Sequence, residues 1–106
     1  MNFGEAIERV KTHSYIAKRA IWDDDVFIFS QIPANINKEI IPKMQSLPEV
    51  VKREVIEAGF VCLKYKNQIC KFDNGNITYY TPVSDDIFAD DWKTKSDGTI
   101  AKWEYL

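Results

Sequence analysis

The sequence predicts an α+β fold: a small antiparallel sheet built from β-hairpins, with a few short helices packed on one side. Three observations lead there. The chain opens on a capped amphipathic segment, it carries aromatic and β-branched runs separated by short turn signals, and between those runs Pro33 to Gly59 has helical character with few strand-type runs.

Asn2 followed by Glu5 is a capping-box pair, and Phe3, Ala6, Ile7 and Val10 recur at helical spacing, which predicts a short helix from about Gly4 to Thr12. His13, the single histidine, then falls at the surface near the helix C-terminus. Tyr15 to Ala20 and Val26-Phe27-Ile28-Phe29 flank the turn Trp22-Asp23-Asp24-Asp25, a hairpin pattern. The three aspartates of that turn suit a tight loop, because Asp bonds its own backbone there, and they could also hold a hard cation. Asn35 or Asn37 can start a helix through Met44, broken or kinked at Pro42. Ser46-Leu47-Pro48-Glu49 is a stronger start, with Ser46 as the cap. Val51, Val55 and Ala58 then share a packing face, Glu49 can pair with Arg53, and Gly59 ends the helix.

Phe60 to Tyr80 reads as a three-stranded meander. An Asn74-Gly75 type I′ turn sets Phe72 opposite Ile77 and Cys70 opposite Tyr79, and a turn at Lys66-Asn67 sets Leu63 opposite Cys70. Cys62 and Cys70 then face opposite sides, so both thiols are expected to be reduced. In Asp86-Ile87-Phe88-Ala89-Asp90-Asp91-Trp92, Asp86 can cap a brief helical turn while Ile87, Phe88 and Trp92 supply core. Asp97-Gly98 signals a last hairpin that sets Trp92 opposite Trp103, and residues 94–106 read as a C-terminal ribbon.

The chain has 106 residues, enough for one domain spanning 1–106. Its formal charge of −2, with no clustered Lys and Arg, disfavours duplex nucleic acid as a partner. No apolar run reaches the roughly 20 residues of a membrane span and the start is not that of a signal peptide, so a cytoplasmic location is expected.

One histidine cannot build a conventional triad or a histidine metal cluster, and the glycines form no phosphate loop, so neither a catalytic set, a metal site nor a cofactor is expected. Paired carboxylates remain chemically open, although no spacing selects two of them. Trp22, Phe27, Tyr79, Tyr80 and Trp92 lie close in sequence to Arg19, Thr81, Ser84 and Asp86. Such rings either fill the core or stack on nucleobases, with neighbouring polar groups bonding phosphate, ribose or the base edge. The candidate ligand-binding residues are Arg19, Trp22, Phe27, Tyr80, Thr81, Ser84 and Asp86.

The opening Met1-Asn2-Phe3-Gly4-Glu5-Ala6, the segment Ala17-Lys18-Arg19-Ala20-Ile21-Trp22, the stretch Ile41-Pro42-Lys43-Met44-Gln45-Ser46-Leu47-Pro48, and Tyr80-Thr81-Pro82 through Trp92 resemble, in that order, the phage Thoeris anti-defence proteins of the second type. The resemblance runs to about Lys93. It departs at Ile21, where the family usually has Gly, at Asp23-Asp24, which replace a common Asn-Gly turn, and at Tyr80, which stands for a frequent Trp. It implies a homo-oligomer, typically a tetramer, that sequesters a small cyclic adenine-containing nucleotide signal. In this family that signal is glycocyclic ADP-ribose and, for some members, cyclic oligonucleotides, and the signal is not cleaved. Two other readings of the residues stand beside it: an acidic protein-binding inhibitor using Asp23 to Asp25 and Asp85 to Asp91, and a metal-dependent nucleotide hydrolase.

Overall fold

The computed structural model describes residues 1–96 and 102–104. They fall into two compact units, residues 1–31 with 67–106, and residues 32–66.

The first unit begins with helix α1 (Phe3–Val10). Its capping box is complete: Glu5 N donates to Asn2 Oδ1 at 2.8 Å, and Asn2 N donates to Glu5 Oε1 at 3.1 Å. Past the helix, His13 is exposed and takes φ 66°, the left-handed conformation that turns the chain into strand β1 (Tyr15–Arg19). The expected hairpin follows with β2 (Val26–Gln31), Ala17 lying opposite Ile28.

The second unit departs from the helical reading. Residues Ala34–Asn37 form strand β3, antiparallel to β4 (Cys62–Tyr65), with Ile36 opposite Leu63. Ala34 and Ile36 alternate with Asn35 and Asn37, a strand period too short to outweigh the surrounding helical signals. A 3-10 turn follows at Ile41–Lys43, with Pro42 near its start where the missing N–H costs little. Helix α2 (Glu49–Glu57) starts from Pro48, whose carbonyl accepts from Val51 N and Lys52 N, and Ser46 is not its cap. Glu49 pairs with Lys52 at 3.0 Å and not with Arg53. Gly59 ends the helix region at φ 82°. The packing face expected on α2 is instead largely open, with Val51 and Ala58 exposed and Val55 half-buried, and the one buried residue of the helix is Lys52, which donates to Pro42 O at 3.1 Å.

Back in the first unit, β5 (Gln68–Asp73) and β6 (Asn76–Tyr79) form the hairpin read from Asn74-Gly75. Both turn residues take positive φ, and Phe72 faces Ile77 and Cys70 faces Tyr79. The third meander strand is absent there. β5 uses its other edge on β2, with Phe29 opposite Cys70, so no edge is left for β4, and Leu63 lies opposite Ile36 rather than Cys70. Cys62 and Cys70 are free thiols on separate sheets.

Helix α3 (Ser84–Phe88) leads to β7 (Trp92–Ser96), which pairs along the whole of β1, and β8 (Trp103–Glu104) lies on its far edge. The six-stranded order is β6-β5-β2-β1-β7-β8. Trp103 lies opposite Lys95, not Trp92, which moves it to the other face of the sheet beside the Lys18, Lys93 and Lys95 ammonium groups. The Asp97-Gly98 turn lies outside the described residues.

One face of this sheet carries the core. Ala6 and Val10 of α1 meet Ala17, Ile28 and Trp92, all fully buried, with Met1 beside them. Burying side chains such as Val10 or Ile28 contributes about 1.5–3 kcal/mol each. Ile87 and Phe88, expected in the core, are exposed, Phe88 by 84%. Among the described residues no helix is long and apolar enough to cross a membrane.

Candidate functional site

Three stretches of the first unit converge beyond this core. The β1–β2 connection brings Trp22, held by its N–H donating to Arg19 O at 3.0 Å. The end of β6 brings Tyr80, whose N–H donates to Ile69 O at 2.9 Å. Helix α3 then brings Asp86. Its first turn is acidic, as suits the positive end of a helix, and Val83 rather than Asp86 takes the cap position.

Asp86 lies inside α3, where its side chain has a different task from capping. Its Oδ1 accepts from Arg19 Nη1 at 3.0 Å and its Oδ2 from Tyr80 Oη at 2.9 Å. Its carbonyl accepts from the fully buried Trp92 Nε1 at 2.8 Å. Arg19 Nε also donates to Asp91 Oδ1. The Asp91 hydrogen bond, outweighing desolvation and joined by Asp86, holds the guanidinium above its ordinary range. Burial above all, with the hydrogen bond to Asp86 and its negative charge, pushes the Tyr80 phenol above its ordinary value. Each Asp86 oxygen keeps a lone pair, so the carboxylate can still accept from a ligand N–H or hydroxyl.

The aromatic wall is fixed by edge contacts. Trp22 stands nearly perpendicular to Trp92, with centroids 5.3 Å apart, and to Tyr80 at 6.4 Å. Trp22, Tyr80, Thr81 and Asp86 line a single concavity of about 380 Å³, within the range of small-molecule sites. Arg19 backs it through Asp86. Phe27 does not line it and stacks on Phe72 at 5.0 Å. Ser84 starts α3, exposed and off the lining.

Three lining residues were not among the sequence candidates: Lys71, Tyr79 and Val83. Lys71 shows no local signal. Only the pairing of β5 with β2, which sets it opposite Ile28, places it near Trp22. A larger groove of about 510 Å³ in the second unit is lined by Val55, Phe60 to Leu63 and Lys64, without convergent polar groups. It is less suited to a polar ligand.

The aspartate turn works as a turn. Asp23 O accepts from Val26 N at 3.0 Å, and Asp24 pairs at 2.8 Å with the buried Lys18. That hydrogen bond, then the lysine's charge, holds the Asp24 carboxyl below its ordinary value. Among the described residues no group of three His, Cys, Asp or Glu side chains could hold a metal ion.

No curated protein matches the chain. The family model described as the Thoeris anti-defense 2-like (Tad2-like) domain matches residues 1–95, leaving Trp103 beyond its end. The chain belongs to the Thoeris anti-defense 2-like family, and its role is accordingly one of Thoeris inhibition.

Proposed function

We propose that this protein inhibits Thoeris by binding and sequestering a cyclic adenine-containing nucleotide signal, glycocyclic ADP-ribose or a cyclic oligonucleotide, without cleaving it. The observation that carries this reading is the convergence of Trp22, Tyr80, Thr81 and Asp86 on one concavity. An aromatic ring there offers a stacking surface whose contribution is about 1–3 kcal/mol per base. A partly buried carboxylate and a threonine offer hydrogen bonds to ribose or the base edge. Exposed Val50, Phe60, Val61 and Phe88 offer apolar surface that assembly into a homo-oligomer would cover, with a tetramer as the family expectation. Such an assembly would act in the cytoplasm of the host cell.

Calorimetry with glycocyclic ADP-ribose and a panel of cyclic dinucleotides and trinucleotides tests the binding, and light scattering tests the assembly. Heat-denaturing the complex should then release intact ligand. Recovery of a cleaved product would establish an enzyme. Absence of binding across the panel would remove the sponge reading and favour a salt-sensitive protein contact through the acidic surface.

A further inference from the structure

Lys71 sits on β5 with its Nζ 4.4 Å from the centre of the Trp22 ring, a close cation–π contact. Trp92 and Tyr80 both stand edge-on to that ring, at 78° and 76°, so neither stacks on it. The lysine ammonium is the cation seated over the indole. Lys71 also lines the concavity that holds Asp86, and it takes part in none of the ion pairs found among the described residues. A base that stacks on the covered part of Trp22 has to displace this ammonium. The displaced group, on a flexible stem inside the same pocket, then needs an anion.

We propose that Lys71 is the exchangeable occupant of the Trp22 ring, and that ligand binding trades its cation–π contact for an ion pair with a ligand phosphate. The inference rests on the nucleotide-binding reading. It assigns the site a selectivity that reading lacks, for a base that carries a phosphate within a lysine's reach. A bare nucleoside would displace the ammonium and leave it without compensation. A phosphorylated ligand supplies the compensation itself. Asp86 on the same lining disfavours an anion placed directly against it, so the phosphate belongs at the Lys71 end and the hydroxyls or exocyclic amine at the Asp86 end.

The test titrates glycocyclic ADP-ribose into wild-type protein, Lys71→Met and Lys71→Arg at low and high salt, with adenosine as the uncharged probe. Met keeps an unbranched stem against Trp22 and removes only the charge. At low salt Lys71→Met should lose about tenfold in affinity for glycocyclic ADP-ribose, the equivalent of about 1.4 kcal/mol. The loss should shrink at high salt as the ion pair is screened. Lys71→Arg keeps the charge, so its affinity should retain the salt dependence that Lys71→Met loses, and adenosine should bind Lys71→Met at least as well as wild type. Unchanged affinity of Lys71→Met at low salt, or a loss that is the same at both salts or shared by adenosine, would overturn the assignment while leaving nucleotide binding intact. Failure of the wild-type protein to bind any nucleotide overturns the parent reading instead.

Discussion

Arg19 and Asp86, 67 positions apart in sequence, meet at 3.0 Å, and each side chain is about nine-tenths buried, at 12% and 11% exposure. This pair ties the central strand β1 to helix α3. Because Tyr80 and Trp92 bond the same aspartate, Asp86 also sets the position of the pocket wall. Removing one partner strands the other as a buried, poorly compensated charge. Arg19→Ala should therefore destabilise the fold by about 3–5 kcal/mol, while Asp86→Asn, which keeps the shape and one acceptor, should cost about 1–3 kcal/mol. Urea denaturation of the two variants checks the order. An Arg19→Ala protein as stable as wild type would show that the Tyr80 hydroxyl and solvent suffice for the Asp86 carboxylate.

Tyr80 makes the fold sensitive to alkali. Its folded-state pKa is raised above the unfolded value of about 10, so folding favours the protonated phenol. The contribution is complete below about pH 10 and is lost as pH climbs from there toward the folded pKa. Tyr80→Phe cannot ionise. It should be less stable than wild type near neutrality, by about 1–3 kcal/mol for the unmatched Asp86 oxygen. The gap between the two proteins should then narrow between about pH 10 and the alkaline limit of folding. Denaturation curves of both proteins across that range provide the measurement, and a gap of constant size would contradict the coupling.

What could be read in the sequence follows the range of the interactions involved. Asn2 with Glu5, and Asn74 with Gly75, are local devices whose partners lie within a few residues, and α1 and the β5–β6 register come out as read. The acidic and aromatic block was legible as important but not in its roles. Asp86 looked like a cap because Ser, Thr, Asn and Asp favour that position, yet its partners are Arg19 on β1 and Tyr80, which local pattern does not reveal. The β4 error has the same origin. A short turn at Lys66-Asn67 is chemically reasonable, but β2 already occupies the edge of β5 that β4 would need. Lys71 was invisible for the reason that Trp22 was visible: an aromatic ring suggests a function by its type, whereas a lysine acquires one from what the sheet sets beside it.

Trp22 joins fold and site in one side chain. From sequence, its place beside an acidic turn at a hairpin end suggests a partly exposed ring, either a stacking platform whose loss leaves stability nearly untouched or a core residue whose loss costs about 3–5 kcal/mol. The structure makes it half-buried, packed against the core through Trp92 and against Tyr80. Trp22→Ala should accordingly lower stability by about 2–3 kcal/mol, below the 3–5 kcal/mol expected of a fully buried ring. It should also lower the affinity of the remaining folded protein for glycocyclic ADP-ribose by about 1–3 kcal/mol, or roughly 5- to 150-fold. Trp22→Phe separates the two effects, because a smaller ring can still be stacked upon: it should recover most of the affinity while keeping about 1 kcal/mol of the instability. Urea denaturation and a titration on each variant give both quantities. If Trp22→Ala loses stability and the folded fraction still binds as wild type does, Trp22 is a core residue alone and the stacking surface lies elsewhere in the concavity.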